Sequence, residues 1–396
     1  MAAYKKYLKY FFIFSSILFL SLLFNYGLVI HSFENISYKE IVDRQLKMQA
    51  IWGSALNPDT VIYKCELFKH RKPEVIALGS SISYNFRQEF FSTSFANCGG
   101  VMPFLSWGSG FLQEILKFHK PHLVVLTIDF YFFNDRFPKA ASEPSFVDRG
   151  TAHLMFKLKQ PYLWLWQGKL TLAEYFNIVL FNNNRNKITN YNNMGVLAID
   201  RAQGFREDGS YSYAGLVAGF HQGFYDKKFK ETLKEVEAGT DRFIHGKNLA
   251  VHAMDDLLRI LKICHDQDIK VVVIVPPVAP TVFQKMQSMP GAYEFIPKLQ
   301  QYLQSLPGEV YDFLNNQEVK CSDCEFIDGY HAGDVALQKV LLTIIKQNPQ
   351  SALRDYLNID LMQRKVKENT GRAMTIYDPS KYNFPEIDFL EIGCLK

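Results

Sequence analysis

Four short strand-like runs, three of them apolar, set the rhythm of the chain. Residues 74–78 lead into Gly79, residues 123–128 follow Pro121, residues 270–275 stop at Pro276-Pro277, and residues 309–312 form the fourth. Runs this short and this apolar read as strands buried on both faces of a parallel sheet. Between them the spacing turns helical, over residues 111–118 and again over 249–264, where Leu257, Leu258, Ile260 and Leu261 share the apolar side. A further helix is expected after residue 333, capped by Asp334, with Val335, Leu337, Val340, Leu341, Ile344 and Ile345 facing the sheet. Alternation of this kind predicts an α/β fold, a doubly wound parallel sheet whose sites form at the carboxyl ends of strands.

The first 31 residues follow another pattern. Residues 10–30 are a run of about 21 mostly apolar residues preceded by Lys5, Lys6 and Lys9, long enough to cross a bilayer. Positive charge on the N-terminal side places that end in the cytoplasm and the rest of the chain outside. A cleaved signal peptide is the competing reading; the length of the run and the lack of an Ala-x-Ala-like site favour an uncleaved signal anchor. The expected organisation is an anchor over residues 1–31, an entry segment over 32–70, a catalytic domain over 71–348 and a C-terminal extension over 349–396. Within the third unit the strand–helix rhythm is lost between residues 136 and 246.

That insertion is rich in aromatic residues, including Trp164 and Trp166, and contains the polar run Asn182-Asn183-Asn184-Arg185-Asn186. It reads as a lid or sugar-stacking platform over the sheet edge, or as a unit whose tryptophans are simply its own core. Arg206, Asp208 and Tyr211 are expected to stabilise a turn. The formal net charge of +4 is modest and partly accounted for by the N-terminal lysines, and no basic patch points to nucleic acid as a partner.

Six cysteines (Cys65, Cys98, Cys264, Cys321, Cys324 and Cys394) would meet an oxidising space under this topology. Cys321 and Cys324 form a C-x-x-C just before Asp328. A zinc site with His331 lacks a second thiol pair, and a structural disulfide steadying that loop is the preferred reading, with pairings left open.

Two motifs carry chemistry. Gly79-Ser80-Ser81-Ile82-Ser83 follows the first strand, and Asp328-Gly329-Tyr330-His331 stands late in the chain. A neutral serine hydroxyl is a poor nucleophile and needs an imidazole within hydrogen-bond reach, itself oriented by a carboxylate. An Asp three residues before a His can accept from Nδ1–H and leave Nε2 for the serine proton.

In this order the motifs resemble the SGNH (GDSL-like) hydrolase superfamily, over residues 70–135 and 247–348. They are most similar to its membrane-anchored branch, which includes the D-alanyl transfer protein of teichoic-acid modification and the alginate O-acetylation proteins. The resemblance implies a flavodoxin-type three-layer fold and a catalytic Ser81, His331 and Asp328. It also implies an oxyanion hole from the N–H groups of Ser81 and of Gly99 or Gly100, with Asn134 as the third-block asparagine. Two departures stand out: Ser80 replaces the commonest Asp, and the third block lacks its glycine, so that Asp129 at the strand end competes with Asn134 for that place. The implied activity is extracytoplasmic O-acyl transfer or ester hydrolysis without metal or cofactor, acting on acetyl groups of a cell-surface glycan with a membrane-bound acyl donor as a partner. A lipid or small-ester esterase and a silent binding scaffold are the alternatives.

Overall fold

The structure, a computed structural model, describes residues 2–56, 59–168, 170–181, 185, 188–220 and 225–394. All of the polar run at 182–186 except Arg185 therefore lies outside the described residues. The architecture is α/β. Among the described residues nine strands form two sheets: β1 (Ala50–Trp52), β2 (Val75–Gly79), β3 (Phe95–Gly99), β4 (Leu123–Thr127), β5 (Asn192–Met194), β6 (Gly204–Phe205), β7 (Tyr211–Ser212), β8 (Lys270–Val275) and β9 (Glu309–Asp312).

The main sheet runs β3-β2-β4-β8-β9 and every pairing in it is parallel. Every residue of β2, β3 and β4 is buried, which is why their sequences are almost uninterrupted apolar runs. Strand β3 was not among the four runs read from sequence, because Asn97 breaks its apolar pattern and is nevertheless fully buried. Helices Ser106–Ile115 and Val251–Asp266 pack against one another, helix Thr60–Arg71 packs on β3, and helix Phe295–Ser305 lies against β9. Asp334 is the first helical residue of Asp334–Gln347, not its cap, which is Gly333.

The small sheet, ordered β5-β1-β6-β7, joins the entry segment to the insertion. Arg206 and Asp208 do build a turn, between β6 and β7: Arg206 Nη1 donates to Tyr211 O at 2.6 Å and Ser210 Oγ to Asp208 Oδ1 at 2.6 Å. That turn docks on the free edge of β3, where Asn97 N donates to Asp208 O at 2.7 Å. Covering a sheet edge in this way removes an open pairing surface. The C-terminal residues 349–394 pack into the same core through Leu353, Met362, Met374 and Leu390.

Ala2–His31 is one continuous helix. Among the described residues it is the one helix long and apolar enough to cross a membrane.

Candidate active site

Strand β2 delivers its chain to the site through Gly79, where a Cβ would come within 2.0 Å of Thr127 Oγ1. Only glycine permits that approach. The chain then turns through Ser81–Ser83, a single 3₁₀ turn whose Ser80 side chain accepts from Ile82 N. Ser80 O is held from three sides, accepting from Ser83 N, Ser83 Oγ and Gly100 N. Asn97 supports the same turn from β3, donating to Ser83 O at 2.6 Å and Phe86 O at 2.8 Å. Ser81 is thus presented, partly exposed, at the carboxyl end of the sheet.

His331 comes from a tight loop closed by Ile327 N donating to His331 O at 2.8 Å. Its Nε2 lies 2.8 Å from Ser81 Oγ and its Nδ1 lies 2.7 Å from Asp328 Oδ2. The other carboxylate oxygen of Asp328 accepts from His331 N at 2.6 Å and Tyr330 N at 2.8 Å. Burial alone would raise the Asp328 pKa, but the His331 charge and these hydrogen bonds outweigh it and hold the carboxyl well below its ordinary range. The carboxylate therefore stays ionised and fixes Nδ1 as the protonated nitrogen. Nε2 is left to accept from the serine, a geometry suited to general-base activation of Ser81.

The proposed oxyanion donors are distributed differently from the expectation. Among the described residues Ser81 N–H makes no hydrogen bond, so it is free to donate. Gly99 N already donates to Asn97 Oδ1 at 2.7 Å and Gly100 N to Ser80 O at 3.0 Å. Asn134 is not at the site: its Nδ2 donates to Ile244 O at 2.6 Å and its Oδ1 accepts from Arg136 N at 2.9 Å. The reason is local. The turn Phe130–Phe133 buries four aromatic side chains after β4, and Asn134 emerges beyond it, where it joins the two ends of the insertion.

Asp129 instead stands at the end of β4, almost fully buried and accepting from Tyr330 OH. Burial pushes its pKa up to about 6, against the pull of hydrogen bonds from Tyr330 and Ser80 and of the His331 and Arg242 charges. Arg242 lies 5.0 Å over the Tyr330 ring.

Three residues that sequence reasoning missed brace the two motifs. Asn85 Nδ2 donates to Ala332 O at 2.8 Å. Arg87, buried, donates to Asp334 Oδ2 at 3.1 Å and to Thr375 O at 3.0 Å. Asp226, from the insertion, accepts from Gly329 N at 3.2 Å. A polar residue in the few positions after the Gly-Ser-Ser turn was the available signal for Asn85 and Arg87; nothing marked Asp226.

The C-x-x-C does not close on itself. Cys324 is bonded to Cys394, with Cα atoms 5.3 Å apart, and Cys321 is a buried free thiol. A disulfide does steady the loop before Asp328, but its anchor is the C-terminal tail. With Cys324 consumed, the zinc arrangement has lost a ligand, and among the described residues no cluster of His, Cys, Asp or Glu is placed to hold a metal. No protein-family model matches this chain, and no curated protein matches it either.

Proposed function

We propose that the chain is a membrane-anchored SGNH-type serine acyltransferase that moves a small O-acyl group, acetyl being the simplest, onto a cell-surface glycan. The observation that carries this reading is the relay Ser81 Oγ–His331 Nε2 at 2.8 Å with His331 Nδ1–Asp328 Oδ2 at 2.7 Å. In this reading Ser81 attacks the acyl carbonyl as His331 takes its proton, and the Ser81 N–H supports the oxyanion. His331 then protonates the leaving oxygen, which departs and leaves acyl-Ser81. A sugar hydroxyl gives its proton to His331 as it attacks the acyl-serine, and Ser81 is regenerated. The parallel order β3-β2-β4-β8-β9, with Ser81 at a strand's carboxyl end, is consistent with the doubly wound SGNH arrangement.

Location follows the same reasoning. Lys5, Lys6 and Lys9 before the apolar helix favour a cytoplasmic N-terminus. The Cys324–Cys394 bond fits an oxidising space outside the inner membrane. Anchoring beside a membrane-bound acyl donor favours transfer over hydrolysis.

The test uses the full chain in membranes and a fluorophosphonate probe. Wild type and Ser83→Ala are expected to label, and Ser81→Ala to stay unlabelled; labelling of Ser81→Ala overturns the assignment. Acylation of the surface polymer is expected to fall in a deletion strain. A rise would mark the protein as an esterase.

A further inference from the structure

Two helices of the insertion, Leu154–Trp166 and Leu172–Phe181, pack on the anchor helix as a hairpin whose outward face is exposed and mostly apolar, with the charge of Lys159 among its aromatic and aliphatic side chains. Phe156, Leu163, Leu172, Phe176 and Phe181 all face outward, and Trp166 is 88 % exposed. Elsewhere in the globular part, exposed large apolar residues such as Phe118 and Val147 are scattered singly, which needs no explanation.

The hairpin lies against one stretch of the anchor helix, and several of its polar contacts are made there. Asn25 Nδ2 donates to Leu158 O at 2.9 Å, and Tyr175 OH donates to Asn25 Oδ1 at 2.8 Å, leaving Asn25 99 % buried. Ser21 Oγ is bonded to Tyr162 OH, and His31 Nδ1 lies 3.1 Å from Ile178 O. Phe24 meets Phe176 edge-on, with ring centroids 6.2 Å apart. An asparagine in an apolar helix is costly unless a neighbouring helix satisfies it, and here the hairpin does so. Thus the exposed apolar faces of hairpin and anchor are continuous.

We propose that this hairpin is a second membrane element, seated in the outer leaflet of the bilayer beside the anchor with lipid covering its outward face. The inference rests on the reading of Ala2–His31 as a membrane anchor. Length supports a dip and return: 13 residues of helix span about 20 Å, short of the ~30 Å hydrocarbon core. The apolar run of the anchor begins at Tyr10, after Lys9, so Ser21 lies about 17 Å along it, and the stretch from Ser21 to His31 that the hairpin touches lies in the outer half of the hydrocarbon core. Lipid is the occupant that the anchor itself requires, and the two faces form one surface.

The experiment uses the full chain in liposomes containing lipids brominated on the acyl chains. The Trp166 signal is taken as wild type minus Trp166→Phe, and Phe14→Trp reports the anchor. The expected result is that brominated lipid quenches the Trp166 signal about twofold, as it does Trp at position 14, while aqueous acrylamide has little effect. Quenching by acrylamide alone at Trp166, with position 14 still quenched by lipid, overturns the proposal and leaves the anchor standing. Quenching by neither means that protein, a second copy or another membrane partner, covers the face, and also overturns it. Loss of lipid quenching at position 14 rejects the anchor itself, and the proposal with it.

Discussion

Asn85 reaches across 247 positions of sequence to donate to the carbonyl of Ala332, the residue after His331, at 2.8 Å. Both partners are buried, and the bond fixes the distance between the serine turn and the histidine loop. Asn85→Ala leaves the Ala332 carbonyl unpaired, at a cost of about 1–2 kcal/mol in stability. Because catalysis depends on sub-ångström placement, probe labelling of Ser81 is expected to slow about tenfold. Melting curves and labelling rates check both. An unchanged labelling rate in a variant of lowered stability would show that the bond supports the fold alone.

Lys64 gives the fold a pH dependence. It is fully buried, donating to Asn97 O at 2.9 Å and to Gly209 O, and its ammonium lies 4.2 Å over the Phe205 ring. Burial pulls its pKa down to about 7, against the neighbouring Cys98 and Asp208. The unfolded chain has the ordinary value of about 10.4. Between these two values the unfolded chain binds a proton that the folded chain lacks, so this contribution to stability rises with pH and fades as pH falls toward 7. Thermal midpoints at pH 7 and pH 9 are expected to rise more in wild type than in Lys64→Met. Equal slopes would refute the assignment.

The bond between Cys324 and Cys394 spans 70 residues of sequence. Closing a loop of that length is worth about 4–4.5 kcal/mol, which Cys394→Ser should lose. Peptide mapping without reduction should recover Cys324 linked to Cys394, with the Cys321 thiol alkylated only after unfolding. A Cys321–Cys324 peptide would contradict this pairing.

Arg87 joins the serine turn's flank to the first turn of helix Asp334–Gln347 and to Thr375 O in the tail. Arg87→Met strands a buried Asp334 carboxylate and should cost about 3–5 kcal/mol. Adding Asp334→Asn should return part of that loss. Strict additivity in denaturant titrations of the two single variants and the double would show that the pair is not coupled.

How much of this was legible in the sequence depended on whether the signal was local. Strands β2, β4 and β8 announced themselves because burial leaves almost no polar position along them, and β9, half-buried at the sheet edge, by its place after the helical stretch that follows β8. Strand β3 did not, since Asn97 spends its side chain on the serine turn. Ser81, Asp328 and His331 could be named because their spacing reflects one turn and one loop. Asn134 was misplaced because position after a strand does not reveal which way the chain leaves it. The two-residue strands β6 and β7 carry no period, and Cys394 as the partner of Cys324 follows only from how the tail folds back.

The small sheet has a consequence for how this chain can change. Strand β1 precedes every strand of the main sheet, yet its neighbours are β5 and β6, from within residues 136–246. Cutting out that whole region would strip β1 of both neighbours and bare the flank of β3. The insertion is therefore not a detachable module. Shortening or exchange is tolerable only between its fixed points, with residues 192–212 retained, and a chimera built by swapping the complete block is expected to be insoluble.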